Sequence, residues 1–470
     1  MAIPTKKIPE LDPYGSVNNP ARLKDLYEVS KNIGTYGTPD YPVNSSRKIT
    51  HEELVDGIGG IPYSGQNYEV VKATGNAAQN GVNLLAAIAA CNAKTPNGLS
   101  LTSANRATVY LLSGGYDIPT AMLANGLVNI EGVGRKEDIK IFSTSLLTSI
   151  IVVSSANVVY KISNLTISNA SGLSIAHGTG IVDVGVWDNV IISAATDAPE
   201  WDGQYYNVKC SVGAVLQGSI LSNAIVENCS FLNNSCGYSA SSAVTISGTV
   251  KKCTSTGTSF GRASGGGVII SGLIEDCESP FSSFGNSNAS GFEVLISGII
   301  RGCKSTGDNN YGSSSSGGCN VVISGIIQDC ESGIYSFGGN SASPTLVTVS
   351  GKIKNCKGGN FSFGKTSAIG VIEGCEGSGT SGVHLGTIYN CRFKNISTSL
   401  KDVITIGDGA SVKYTESIQL EITKDSIKIS SGANVKISHC ESNKDFNIVS
   451  GAAYTNLISN AYNVIDSDLI

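Results

Sequence analysis

Five carboxylates, Asp183, Asp188, Asp197, Glu200 and Asp202, fall in one short stretch of the chain. The same stretch holds both tryptophans, Trp187 and Trp201, and ends at the pair Tyr205-Tyr206. Glycoside hydrolysis uses two carboxyl groups roughly 5–9.5 Å apart, one as acid and one as base or nucleophile. Aromatic rings nearby offer flat apolar faces with polar edges. The stretch is therefore a candidate carbohydrate site. Glu200, Asp197 and Asp202 are the candidates for catalysis, and Trp187, Asp188, Trp201, Tyr205 and Tyr206 for sugar binding. Residues 194–207 read as a loop leaving the main fold. The default alternatives are an ordinary surface loop or a subunit contact rich in Trp and Tyr. Asp308 and Asp408 sit beside Asn or Gly and read as turn residues.

The thirteen cysteines are the other chemically capable group. No CxxC pair occurs, so zinc is a poor reading, and no metal or cofactor is expected. A nucleophilic thiol needs a neighbouring base. The four histidines, His51, His177, His384 and His439, do not recur with the cysteines.

The elements that would position these residues come from a repeat. Between residues 244 and 391 a cysteine follows a glycine by five residues seven times: Gly248/Cys253, Gly272/Cys277, Gly298/Cys303, Gly325/Cys330, Gly351/Cys356, Gly370/Cys375 and Gly386/Cys391. Cys229 reads as an earlier member. An aromatic-Gly pair follows most of the cysteines, as in Phe260-Gly261, Phe284-Gly285 and Phe337-Gly338. A period of about 25 residues built from short apolar runs fits a parallel β-helix. Its coils stack about 4.8 Å apart, so equivalent residues form files. The cysteines become an internal reduced file, the aromatic residues a stacked corner, and the glycines the places where the chain turns. The last intervals between cysteines shorten, so the cross-section should shrink toward residue 391.

Charge supports this register. The residue after each cysteine reads Glu278, Lys304, Glu331, Lys357, Glu376 and Arg392, alternating in sign. Stacked neighbours of opposite sign contribute roughly 0.2–1 kcal/mol per pair. Glu275 and Arg301, two positions before their cysteines, repeat the theme. These glutamates are accounted for by the stack and are poor catalytic candidates.

Composition excludes several classes. The chain has 470 residues with 56 glycines, only 15% charged residues and 41% hydrophobic ones. It is too apolar for a disordered polymer. Glycine shows no G-X-Y period, which excludes collagen. With 32 basic and 37 acidic residues and no basic block, nucleic acid is not an expected partner. No apolar run reaches the roughly 18 residues of a membrane helix. The first 20 residues lack a secretory h-region, so a reducing compartment is expected.

Residues 1–60 have more charge and proline and no file. They contain Lys7-Ile8-Pro9-Glu10-Leu11, then Asp25-Leu26-Tyr27-Glu28-Val29, then Lys48-Ile49-Thr50-His51-Glu52-Glu53-Leu54. Thr50 with Glu53 reads as a capping box for a short helix. The succession resembles the N-terminal segment of bacteriophage tail-fibre and tailspike proteins. The resemblance implies a virion-docking role, with Ile8, Leu11, Leu26, Val29, Ile49 and Leu54 as docking residues. Further on, Asn80-Gly81 opens an expected helix over 82–91. Val109-Tyr110-Leu111 with Gly114 and Tyr116, and Ile130-Glu131-Gly132-Val133-Gly134, follow it. This run resembles the start of the pectate-lyase-like β-helix superfamily, whose helix covers the open end of the coil stack.

The expected fold is all-β: a right-handed single-stranded parallel β-helix with an N-terminal capping helix and a small docking segment. Its expected divisions are a docking segment 1–60, a head 61–140, a shaft 141–399 and terminal coils with a cap 400–470. The two resemblances imply a virion appendage, assembled in the host cytoplasm as a homotrimer. It would bind other virion proteins through 1–60 and a host-surface glycan or receptor through the β-helix. A glycan depolymerase and a non-enzymatic head fibre or decoration protein are the alternatives.

Overall fold

A computed structural model describes most of residues 67–459, apart from short stretches that include 154–158, 178–183, 211–217, 315–319, 339–346, 396–402 and 420–426. The chain divides into two units, Met1–Gln66 and Asn67–Ile470. The docking residues Ile8, Leu11, Leu26, Val29, Ile49 and Leu54 lie outside the described residues, as do Asp183 and Cys319.

The second unit is the expected parallel β-helix. Its strands are two to nine residues long and pair in parallel, coil on coil, into a 20-stranded sheet, a 9-stranded sheet and a 7-stranded sheet, with smaller ones beside them. One coil runs through strands Val268–Ile270, Leu273–Glu275, Glu278–Ser279 and Asn286–Ser287. The next repeats it as Glu293–Ile296, Ile299–Arg301, Lys304–Ser305 and Ser313–Ser314. Strand alternation sends Val250, Ile274, Ile300 and Ile327 inward as one in-register file. Each such side chain contributes roughly 1.5–3 kcal/mol by leaving water.

The cysteine file is internal. Cys229, Cys253, Cys277, Cys303, Cys330, Cys356, Cys375 and Cys391 are buried and unpaired by disulfides. Each thiol donates to the carbonyl two residues earlier, at 3.0 Å from Cys253 to Lys251 and 3.3 Å from Cys303 to Arg301. Burial pushes the thiols of Cys229, Cys253 and Cys303 well above their ordinary range, so they stay neutral. Leu165, Val190 and Val208 carry the file into earlier coils, where each is buried. Cys236 is an exception to the expected single file. Followed by Gly237, it takes the place that Phe260-Gly261 holds one coil later.

A corner that the repeat did not announce precedes each cysteine. Asn228, Lys252, Asp276, Asp329, Asn355 and Asn390 all have φ between 51° and 54° or close to it, and Gly302 and Gly374 have φ of 63°. This left-handed backbone turns the chain from the long sheet into the next. Asn, Asp and Gly adopt it at low cost, which explains their choice.

The repeat glycines do something other than turn. A Cβ on Gly272, Gly298, Gly325 or Gly351 would lie 2.1–2.2 Å from the carbonyl oxygen of the glycine one coil earlier. They permit backbone contact, not an unusual φ. The turning glycines belong to the aromatic-Gly pairs, with φ of 90° at Gly261 and 89° at Gly285.

The aromatic corner stacks as expected. Phe260, Phe284, Tyr311, Phe337 and Phe363 have successive ring centroids 5.4, 5.0, 4.8 and 5.4 Å apart, within 19° of parallel. The Tyr311 hydroxyl donates to the Cys303 carbonyl at 2.8 Å, so the buried polar tip is satisfied. Stacked pairs contribute about 0.5–1.5 kcal/mol beyond burial, offsetting the left-handed φ of Phe260, Phe284, Tyr311 and Phe337.

The alternating charges are direct neighbours. Glu278 pairs in register with Lys304, Lys304 with Glu331, Glu331 with Lys357, Lys357 with Glu376, and Glu376 with Arg392. On the adjoining outer file, Glu275 meets Lys251 at 3.2 Å and Arg301 on its other side. A hydrogen bond from Lys352, opposed by partial desolvation and aided by Lys354, holds the Glu373 carboxyl below its usual range.

The open end is covered by helix α1, Ala77–Asn92. It begins before the expected 82, because the Asn76 side chain caps it by accepting from the Gln79 N–H at 3.2 Å. Asn80 is buried and fastens the helix to the first coils. Its amide donates to the carbonyls of Thr74 and Gly115 and accepts from the Thr74 N–H. A Cβ on Gly81 would stand 1.9 Å from the Asp117 carbonyl oxygen, so the Asn-Gly pair serves contact with the first coils.

At the shrunken end, His384 is buried, and neither ring nitrogen has a hydrogen-bond partner. Burial lowers its pKa from 6.5 to about 4. Its stabilising contribution is complete above pH 6.5, the unfolded value, and is lost as pH falls toward 4. The loss amounts to about 3 kcal/mol. Denaturant titrations at pH 7 and pH 4.5 should show a larger acid loss for the native protein than for His384→Leu. Equal losses would contradict this.

Candidate carbohydrate-binding groove

Two residues of the expected carbohydrate cluster lie in the core. Trp187 is fully buried, and Tyr205 is 1% exposed. They occupy the core file of the long sheet, in register with Ile162 before and Val226 after. Their rings stack at 6.3 Å, and the Trp187 indole N–H donates to the Tyr160 hydroxyl at 3.3 Å. A side chain with no exposed surface cannot hold a sugar, so both are core residues. The described residues between 196 and 207 are coil wall, not an outlying loop. Strand Thr196–Asp197 pairs with Ile175 and Ala176, and strand Glu200–Trp201 with Ser219 and Ile220. This fixes the backbone of Asp197, Glu200 and Trp201; their side chains lie outside what is described. Asp202 closes a turn, accepting from the Asn223 N–H and side-chain amide, both at 2.8 Å.

Asp188 and Tyr206 do meet. They are in-register neighbours on the outer face, and Glu227 follows Tyr206 one coil on. Burial and then the negative charges of Glu227 and Asp188 raise the Tyr206 phenol pKa. Two coil steps of about 4.8 Å separate Asp188 from Glu227, with Tyr206 between them. Asp408 accepts from the Asn434 N–H at 2.9 Å, a turn role as expected. Among the described residues no group of three or more His, Cys, Asp or Glu side chains converges as metal ligands would.

A different site stands on the last coils. A groove of about 550 Å³ runs along the left-handed corner there. Asn355, Glu376, Asn390, Arg392, Tyr414 and His439 line it, over Cys375, Cys391 and Thr415. In earlier coils this corner residue is Asn, Asp, Gly or Lys; here it is Tyr414, with φ 49°, and then His439, with φ 53°. Bulky side chains pay a conformational penalty in this region, and such outliers gather at functional sites.

The two rings stack at 4.7 Å and 15°. Tyr389, from the outer file of the long sheet, stands edge-on to Tyr414 at 5.7 Å and 84°. Tyr389 and Tyr414 are 40% and 51% exposed, so the aromatic surface is open to a ligand. Glu376 and Arg392 stand side by side in register along the groove. Apolar ring faces flanked by a carboxylate, a guanidinium and two amides are what a polyhydroxylated ring needs: C–H surface on one side, hydroxyl partners on the other. The sequence signal for this site was the aromatic or imidazole residue just before Thr415 and Cys440, where other coils have Asn or Asp.

No family model matches the chain, and no curated protein matches it. Among solved structures it is similar to the A-module of the Azotobacter vinelandii mannuronan C-5 epimerase AlgE6, at 13% identity over 82% of this chain and 97% of that one, with a TM-score of 0.27. It is also similar to the AlgE4 A-module of the same organism, at 11% identity over 84% and 98%, TM-score 0.24. A third is the catalytic domain of a GH87 alpha-1,3-glucanase in complex with tetrasaccharides, at 11% identity over 86% and 69%, TM-score 0.23. At these scores the likeness says nothing of activity, and the fold rests on the strand pairing itself.

Tyr414→Asn relieves the left-handed backbone while losing two ring contacts, those with Tyr389 and His439. It should leave stability unchanged or raise it by up to about 1 kcal/mol. A loss well above 1 kcal/mol in a denaturant titration would mean that Tyr414 serves the fold.

Proposed function

We propose that this chain is a bacteriophage virion appendage of tail-fibre or tailspike type that adheres to a host-surface glycan. Residues 1–60 attach it to the particle, a role supported by the Lys7–Leu11, Asp25–Val29 and Lys48–Leu54 pattern. The β-helix is the projecting part, and the groove at Tyr414 and His439, with Tyr389 beside it, is its glycan-contacting surface. The observation that carries this reading is the pair of aromatic residues placed at costly left-handed corners where the rest of the shaft uses Asn, Asp, Gly or Lys.

The test is binding of the full chain to a panel of bacterial capsules and lipopolysaccharides by surface plasmon resonance. One or more should bind, and Tyr414→Asn with Tyr389→Ala should weaken that binding at least tenfold. Binding that survives both substitutions would place the contact elsewhere. New reducing ends or unsaturated uronates in the same incubations would mean a depolymerase instead. A chain lacking residues 1–60 should keep its glycan binding and fail to join virions; its incorporation would remove the docking role.

A further inference from the structure

One arginine of the shaft breaks the rule that a charge is answered by an adjacent coil. Lys251 and Arg301 pair with Glu275, Lys304 with Glu331, and Lys352 and Lys354 with Glu373. Arg262 stands directly after the Phe260-Gly261 corner and opens strand Arg262–Ala263 of a 4-stranded sheet. Its in-register neighbours are Tyr238 one coil earlier and Asn286 one coil later, and Ser313 follows. None of these side chains is charged at neutral pH. The chain has no Asp or Glu between Glu227 and Glu275, nor from Ser279 to Phe292. The next acid, Glu293, stands over Gly267 and opens a strand of the 7-stranded sheet.

The geometry isolates the guanidinium further. Strand alternation sends Ala263 and Ser287 inward, where both are buried. Arg262 is therefore on the outer side of the same strands, yet it is half-buried. Its Nε is buried and has no hydrogen-bond partner. Burial lowers the pKa of the group, and Tyr238 alone acts the other way. Arginine keeps its charge through such a shift, so the cation persists in a place without a counter-charge. Buried donors of native proteins have acceptors. The residues that follow, Ser264-Gly265-Gly266-Gly267, bring no side chain larger than a serine hydroxyl beside it. Gly265 and Gly266 lie against the backbone of the coil before, where a Cβ would stand 2.8 and 2.3 Å from Ser241 and Ala243.

We infer that Arg262 is the centre of an oxyanion-binding site, its guanidinium taking two oxygens of a carboxylate, sulfate or phosphate group carried by a ligand. The planar fork of N–H donors matches such groups and binds them through paired, charge-assisted hydrogen bonds. The oxyanion supplies the counter-charge that the stack withholds and the acceptor that Nε lacks. The site lies on another sheet and in earlier coils than the Tyr414 groove, and it does not depend on the role of that groove.

The test reads the site itself. In the full-length chain with isotope-labelled arginine, the Nε–H nuclear magnetic resonance signal of Arg262 is the one missing from Arg262→Lys and from Arg262→Gln. Titrations with acetate and with phosphate, each against chloride at equal ionic strength, should move this signal to saturation for at least one of the two. Saturation with acetate assigns a carboxylate ligand, and saturation with phosphate a phosphate or sulfate. Shifts no larger than those in chloride, for both anions, overturn the proposal. Arg262→Lys keeps the charge and loses the fork, so calorimetry should show the anion binding it at least tenfold more weakly. Equal affinity for the native chain and Arg262→Lys overturns the assignment to Arg262. If Arg262→Lys fails to fold, the native titration with Arg262→Gln as its reference still decides.

Discussion

Parallel stacking in register is the constraint on which everything else in this molecule depends. Each coil lies about 4.8 Å above the last, so every position on the perimeter meets its own equivalent twice. A residue type survives at a position only if it tolerates a copy of itself, or a chosen complement, at that distance. Thiols do so by donating to carbonyls. Glycines do so because a Cβ would strike the carbonyl of the coil before. Phenyl rings do so by stacking. Charges cannot, and so alternate.

This is why the coil stack was legible in the sequence. A fixed Gly-to-Cys offset and a sign alternation are consequences of register, and both appear as pairings in the structure. The position of the core was less legible. Trp187 and Tyr205 read as surface residues because they sit among carboxylates. Yet each lies two residues before a left-handed asparagine, Asn189 and Asn207, as Ile162 lies before Asn164. Counting back from the corner would have sent them inward. The corner itself was missed because from residue 228 to residue 391 four residue types fill it, whereas only cysteine fills the next position there. The helix start was missed because Asn76, Asn80 and Gly81 offer competing signals, and only the contact with the Gly115 and Asp117 carbonyls separates their roles.

Departures from the rule then become informative. In a solenoid, a residue that breaks its file gives up the easy choice made by its neighbours. Tyr414 and His439 do so at the corner, and Arg262 does so in a file whose other members are Tyr238, Asn286 and Ser313. The core beneath Tyr414 and His439 is mostly Ile, Val and Cys, with Thr415 taking a cysteine's place under Tyr414. Where the files are regular, as in the glutamates from Glu278 to Glu376, no function beyond register is required.

The account stands on the cysteines forming one internal file parallel to the shaft. Long-wavelength anomalous diffraction from crystals of the protein would locate the sulfurs directly. The account predicts a line of eight from Cys229 to Cys391, spaced by about 4.8 Å, the coil repeat. Sulfurs scattered about the molecule, joined in pairs at the roughly 2.05 Å of a disulfide, or lying at its surface would contradict it.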